Sequence, residues 1–461
     1  MKKLIGTKGF YRGVFAIMAP ILLQNVITNF VSLLDNIMVG QVGTEPMSGV
    51  AIANQILFVF NLCIFGGLSG VGIYTAQFCG KGDNEGIRNT VRIKYFVAVG
   101  AVIVFSLVFL FGGSALISSF LHEGNEGLDL AITFEHSLSY LHLMMIQMLP
   151  FAIGQVYAST LRECGEPMMP MKASIIAMLT NLVGNYILIF GKFGAPELGV
   201  EGAAIATVIA RFVECIILIV YTHKKKERFS FVPGILKTLK VPAALFKDVT
   251  KKGFPLLLNE VLWSAGMAML NQCYSVRGLE VVSATNISST IFNLFSCVTL
   301  AAGTTISIII GQHLGAGRLE QAVEDDNKII FLSIVIAIVI GGLLAALSTP
   351  LANIYNTTEA VRGLAVKFIL INAMYMPFQA FTNGCYFTLR SGGKTIITFL
   401  FDSVCTWVCY IPVAFILAHF TDMTILPIFL IVNGIELVKC AIGYFMLRSK
   451  KWVVNLVGKT E

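Results

Sequence analysis

The stretch 20–36, PILLQNVITNFVSLLDN, returns 235 residues later as 255–271, PLLLNEVLWSAGMAMLN. The segment 75–83, TAQFCGKGD, returns at the same offset as 310–318, IGQHLGAGR, which pairs Gln77 with Gln312, Gly80 with Gly315 and Gly82 with Gly317. A third echo sets Leu161, Arg162 and Gly165 against Leu389, Arg390 and Gly393. One unit has been duplicated within the chain. Its solvent is lipid: the 461 residues are 56% hydrophobic and only 13% charged, a balance foreign to soluble domains of this length. Internally duplicated membrane proteins are commonly transporters, because two similar lobes can rock about a site between them.

Apolar segments long enough to cross a bilayer, about 20 residues or more, recur twelve times. They are read as 14–40, 48–78, 93–120, 131–160, 168–191, 199–222, 253–276, 283–314, 328–354, 361–388, 395–419 and 424–447. Helices are the required form, since strands this apolar lack the alternation of a barrel. The first run follows Lys2, Lys3, Lys8 and Arg12, is too long for a signal peptide and lacks a clear cleavage site, so it is expected to be retained.

Twenty-seven Lys and Arg residues fall at the N-terminus and on alternate connections, among them Lys81, Arg88, Arg92, Lys94 and the run Lys224, Lys225, Lys226, Arg228. The other side carries only Lys192, Arg277 and Arg362. This asymmetry predicts a multi-pass protein of the cytoplasmic (plasma) membrane with both termini in the cytoplasm. Three parts are expected: a six-helix lobe over 1–222, a basic cytoplasmic linker over 223–252 that tracks the anionic lipid face, and a second six-helix lobe over 253–461. Six spans is an even number, so both lobes share one orientation, and their pseudo-twofold axis is expected along the membrane normal.

The succession of motifs adds a resemblance. Pro20 and then Asp35 stand in the first span, within LLDNIMVGQVG; AQFCGKGD ends the second; LRECGEP ends the fourth; Asn181 and Asn185 stand in LTNLVGNYILIFG, followed by LGVEGAAIATVIAR. Their order over nearly the whole chain resembles the multidrug and toxic compound extrusion (MATE) transporters. That resemblance implies two six-helix lobes forming a V around a central cavity. It also implies export of amphipathic, often cationic, organic compounds coupled to entry of protons or sodium ions.

Asp35 is the first candidate. A carboxylate inside the bilayer costs on the order of 3 kcal/mol unless it is neutralised or faces water, and no base lies within a turn or two on its own helix. Asn181 and Asn185, spaced i, i+4, share one helix face that must point inward. In an archaeal-type branch of the family the second of these positions is an aspartate; Asn185 removes that charge here. Asp35, Asn181, Asn185 and Thr207 are thus the expected cation-coupling residues of the N-terminal lobe, with Asp35 in reach of Asn181. Pro20 removes a backbone hydrogen bond on the helix that carries Asp35 and is the expected hinge.

Glu260, five residues after Pro255, takes the place of Asn25 in the repeat, so the lobes differ chemically at equivalent positions. Family members of both the sodium-coupled and proton-coupled kinds carry a glutamate at this point, which makes Glu260 the coupling candidate of the C-terminal lobe. Asp35 and Glu260 are the candidate ligands of a sodium ion. The bacterial sodium-coupled branch also has an aspartate in helix ten with a tyrosine four residues earlier; here those positions are Gln379 and Tyr375, which leaves two cavity residues and one carboxylate fewer. Arg211 with Glu214 and Glu436 with Lys439, each i, i+3, read as self-contained ion pairs. Asp402 has no evident partner.

Enzyme signatures do not survive inspection. Ser391-Gly392-Gly393-Lys394-Thr395 ends like a phosphate loop, but Thr388 replaces the first glycine and no strand precedes it. There is no HExxH, and the ten cysteines include no CxxC and lie mostly in apolar runs, where they read as packing thiols rather than disulfide or zinc sites. The expectation is an all-α secondary transporter, not an enzyme, with no cofactor beyond the coupling H+ or Na+. Its partners are small organic molecules and membrane lipid, not nucleic acid, and it is expected to be a monomer. The rival readings are a lipid-linked oligosaccharide flippase of the same superfamily and, from another class, a polytopic membrane enzyme. The acids inside the helices outnumber the bases, which favours cationic cargo.

Overall fold

A computed structural model describes residues 4–121, 129–235 and 237–458; Lys2, Lys3 and Lys459 of the basic tally lie outside them. Every regular element among the described residues is helical, and twelve helices are long and apolar enough to cross a membrane. They are α1 (Lys8–Gly40), α2 (Thr44–Lys81), α3 (Asn84–Phe120), α4 (Leu130–Glu163), α5 (Met168–Ile189), α6 (Gly199–Lys224), α7 (Ala243–Ser275), α8 (Leu279–Gly315), α9 (Leu319–Asn353), α10 (Glu359–Ser391), α11 (Thr395–Phe420) and α12 (Ile425–Arg448).

Several helices outrun the bilayer. The 38 residues of α2 extend about 57 Å at 1.5 Å per residue, against a hydrocarbon core of about 30 Å. Such overhang corrects the reading of Arg92 and Lys94 as loop charges. Both stand inside α3, whose N-terminus is capped by Asp83 accepting from the Gly86 amide at 2.9 Å. Lys94 is fully buried and donates to Glu163 at 2.5 Å, Ser159 at 3.0 Å and Thr160 at 3.1 Å. Arg88 and Arg92 fasten the segment after α6 by donating to the carbonyls of Ser230, Phe231, Gly234 and Ile235. Phe229, Phe231, Val232 and Ile235 are buried there, and α7 begins at Ala243, so much of the expected linker is docked or helical.

The chain divides by contact into two compact units. One holds Leu23–Thr75 and Asp83–Gly253; the other holds the residues up to Leu22, Ala76–Gly82 and the chain from Phe254 onward. In the first, α4 packs on α3 and α6; in the second, α10 packs on α9 and α12, the equivalent pairs of the repeat. Helix α1 runs on through Pro20, two residues before the change of unit at Leu22. Eight cysteines are free thiols, whereas Cys79 and Cys164 are disulfide-bonded, which departs from the packing-thiol reading because no short spacing announces them.

Within the second unit the repeat is visible as a reciprocal contact. A Cβ at Gly80 would overlap the carbonyl of Gln312, and a Cβ at Gly315 would overlap the carbonyl of Gln77. These are the repeat partners of each other. Ala76 and Gly311, also partners, meet directly, with the Ala76 methyl 2.9 Å from where a Gly311 Cβ would stand. A local two-fold therefore passes between the ends of α2 and α8, and only glycine allows the backbones so close. The tail after α12 covers this junction. The Gln77 side chain donates to Ser391 O at 3.0 Å and Val454 O at 3.3 Å and accepts from Leu456 N at 2.7 Å, and Trp452 is buried against Val14, Ile306 and Leu314.

Adding a methyl at either crossing forces backbone apart, an overpacking cost of about 1–3 kcal/mol. Gly80→Ala and Gly315→Ala are each expected to lower the thermal midpoint of the detergent-solubilised protein. Gly342→Ala, which meets nothing within 4 Å, should leave it unchanged or slightly raised. Fluorescence-detected size-exclusion after a heating series measures all three.

Candidate functional site

The acid of α1 and the amides of α5 meet. Asn185 Nδ2 donates to Asp35 Oδ1 at 2.6 Å and stands 3.4 Å from Asn181 Oδ1. Asn181 Nδ2 in turn donates to Thr207 Oγ1 of α6 at 3.1 Å, and Thr207 donates to Ala203 O. Asn181 and Asn185 are 5% and 0% exposed, so their i, i+4 stripe is the inward face of α5. Asp35 reaches Asn181 by way of Asn185, whose amide bonds the acid and stands beside the Asn181 carbonyl. Arg211, one turn beyond Thr207 on α6, is the base whose field reaches Asp35; it pairs with Glu214 at 2.9 Å, as the spacing predicts, and lies over the Phe151 ring. The Asn185 Oδ1 is buried and unpartnered. Asp35 therefore has a neutral amide as its direct partner, beside further carbonyl and hydroxyl oxygens. That donor set suits a proton or a hard monovalent cation and offers no nucleophile–base pair.

In the second unit Glu260 is half-buried and makes no hydrogen bond or ion pair among the described residues. Arg390 and Asp402 are the charges whose fields reach it. Tyr375 is buried and donates to Leu430 O at 3.4 Å, and Gln379 lies one turn on along α10, half-buried. No hydrogen bond joins either to Glu260 among the described residues.

Neighbouring Asn259 carries the network that sequence reasoning missed. It is 1% exposed, donates to Asp402 Oδ2 at 3.1 Å and accepts from Ser403 Oγ at 2.7 Å. Lys439 does not pair with Glu436 as its spacing on α12 predicted. It turns to Asp402 at 3.4 Å, while Glu436 accepts from Tyr410 at 2.6 Å and from Thr382. Helix–helix partners satisfy both groups better than a self-contained pair. The unassigned Asp402 thereby gains its partner. The available signal was the repeat itself: Asn259 is the counterpart of Gln24, which bonds Ser174 at 2.9 Å.

No cluster of three or more His, Cys, Asp or Glu that could hold a metal exists among the described residues. The geometry is that of a duplicated polytopic membrane protein with isolated acids inside its helices, the mark of a transporter. The MatE family model matches residues 20–187 and 255–416, the two repeats in turn. The chain belongs to the MatE family of multidrug and toxic compound extrusion transporters.

The chain is 25% identical over 440 residues to a probable multidrug resistance protein NorM of Thermotoga maritima, covering 94% of this chain and 91% of the relative. It is 24% identical to the probable multidrug resistance protein YoeA of Bacillus subtilis, covering 91% and 89%. Among solved structures, a Vibrio cholerae MATE transporter matches with a TM-score of 0.86 at 17% identity, over 98% of this chain and 100% of that one. A MATE transporter captured in an outward-facing conformation matches with a TM-score of 0.85 at 18% identity, over 96% and 99%.

The hydrogen bond to an ionised Asp35 is testable by a double-mutant cycle. Asn185→Leu is expected to cost about 1.5–3 kcal/mol of stability, the worth of a bond to a charged acceptor, in the wild-type background. It should cost far less when Asp35 is already Leu. Thermal midpoints of the four proteins give the coupling.

Proposed function

We propose that this chain is a secondary multidrug efflux transporter that exports amphipathic organic cations in exchange for protons or sodium ions. The observation that carries the reading is the Asp35 carboxylate held by the neutral Asn185 amide at 2.6 Å inside a membrane-spanning helix. An intramembrane acid whose direct partner is neutral can take up and release a cation, and any cargo that competes for the same charge is exchanged for it. The names of the relatives, probable multidrug resistance proteins, favour drug export over the flippase reading. Glu260, without a hydrogen bond among the described residues, is the proposed cargo or cation acid of the second unit, with Tyr375 and Gln379 as cavity residues. Sodium is held, on this reading, by Asp35 with Asn181, Asn185 and Thr207. Pro20 is the proposed hinge, because it lies where α1 passes from one compact unit to the other and deletes one helical hydrogen bond there. The basic loops and both termini face the cytoplasm, and the protein works as a monomer.

Asp35→Asn mimics the neutral acid and should abolish dye efflux from energised cells while expression and thermal midpoint stay near wild type. Glu260→Gln should lose export of cationic dyes. Pro20→Ala should slow efflux more than it lowers yield. Wild-type efflux by the Asp35→Asn protein would remove that acid from the mechanism, and unchanged ion dependence in Glu260→Gln would do the same for Glu260.

A further inference from the structure

The two repeats carry the same polar chain in opposite charge. In the first unit Gln24 of α1 donates to Ser174 of α5 at 2.9 Å, and Ser174 donates to Glu214 of α6 at 2.7 Å. In the second unit Asn259 of α7 donates to Asp402 of α11 at 3.1 Å, and Asp402 accepts from Lys439 of α12 at 3.4 Å. Gln24 and Asn259 are 235 positions apart, the offset of the opening motif. Ser174 and Asp402 are 228 apart, the offset of the Leu-Arg pairs, and the segments Arg211–Cys215 and Glu436–Cys440 align Glu214 with Lys439. Three helices are tied at equivalent positions in each unit. The first unit uses a hydroxyl and an acid, the second an acid and a base.

A second observation singles out the version in the second unit. Helix α5 is regular throughout, whereas α11 widens into π-helical turns at Leu400–Val404 and Thr406–Tyr410. These turns present Asp402, Ser403 and Tyr410 to the network. A π turn inserts one extra residue per turn, costs regular hydrogen bonding and recurs at functional sites. Among the described residues it sits only in the second repeat, whose chain joins an acid on α11 to a base on α12.

We infer that Asn259, Asp402 and Lys439 are positioning residues for Glu260, and that the Asp402–Lys439 pair passes the charge state of Glu260 to α11 and α12. The inference rests on the reading of Glu260 as a coupling acid. Asn259 is the next residue along α7, so the bonds that fix it fix the rotation of the helix at Glu260. Asp402 lies within the field of Glu260, and Lys439 neutralises one of these two acids. The three groups carry a formal charge of −1 when Glu260 is ionised and zero when a cation neutralises it, which changes the pull on Lys439. Besides Lys439 and Glu260, the field of Asp402 reaches Tyr386 on α10 and Tyr410 on α11; Arg390 faces Glu260 and Tyr386, and Glu436 and Cys405 face Lys439. Glu436 is already held by Tyr410 and Thr382, so Lys439 has a second acid close by toward which it can move.

The test uses the full-length protein in vesicles and reads cationic dye transport against the concentration of the driving ion. Asp402→Asn with Lys439→Gln removes both charges together, which avoids an unpaired buried ion. Ser403→Ala leaves every charge in place and removes only the hydroxyl bonds to Asn259, so it carries the test if the double variant does not fold. The double variant should move the ion concentration giving half-maximal rate by about three- to tenfold, the range of such coupling changes. Ser403→Ala should move it in the same direction by less. A half-maximal concentration within about twofold of wild type in the double variant, or in Ser403→Ala where the double variant does not fold, would overturn the inference. Failure of the underlying reading shows separately, as wild-type ion dependence in Glu260→Gln alone.

Discussion

Everything proposed for this protein turns on the amide of Asn185 resting on the carboxylate of Asp35. An ionised carboxylate in hydrocarbon is worth several kcal/mol of strain unless something answers it. A fixed cation would answer it permanently and leave a structural ion pair, as Arg211 does for Glu214. A neutral amide answers it partly. It orients the acid and leaves the charge available to a mobile ion. The rest of the first unit serves this contact: the buried stripe of α5 delivers Asn185, Asn181 fills the next turn, and Thr207 ties that stripe to α6.

The duplication explains why the second half cannot simply repeat this arrangement. The position equivalent to Asp35 is Leu270, and the acid moves to Glu260, where the first repeat has Asn25. The structural chains were kept while their charges were exchanged, so Ser174–Glu214 became Asp402–Lys439. Backbone contacts were kept more strictly. The crossing of Gly80 on Gln312 and of Gly315 on Gln77 leaves no room for a side chain, so both copies retain the same residues.

Much of this was legible in the sequence for physical reasons. Twelve apolar runs can only be helices in lipid, and the buried i, i+4 pair of Asn181 and Asn185 follows from the cost of exposing amides there. What escaped was of two kinds. Lys94 and Arg92 looked like loop charges because hydropathy marks the bilayer and not the end of a helix, and α3 starts well outside it. Lys439 looked like the partner of Glu436 because spacing along one helix is visible and spacing between helices is not; its partner lies on α11, in a π turn that no local pattern announces. Trp452 and the tail after α12 belong to the same class, since an apolar stretch too short to span a bilayer gives no sign of which helix it will be buried against.

The central claim is that an ion gradient drives export through these intramembrane acids. Vesicles containing the wild-type protein, loaded with a cationic dye and given first a pH gradient and then a sodium gradient, test it most directly. The account requires one of the two gradients to drive dye movement against its own concentration, and to stop when that gradient is collapsed. Dye movement that ignores both gradients, or no movement under either, would contradict it.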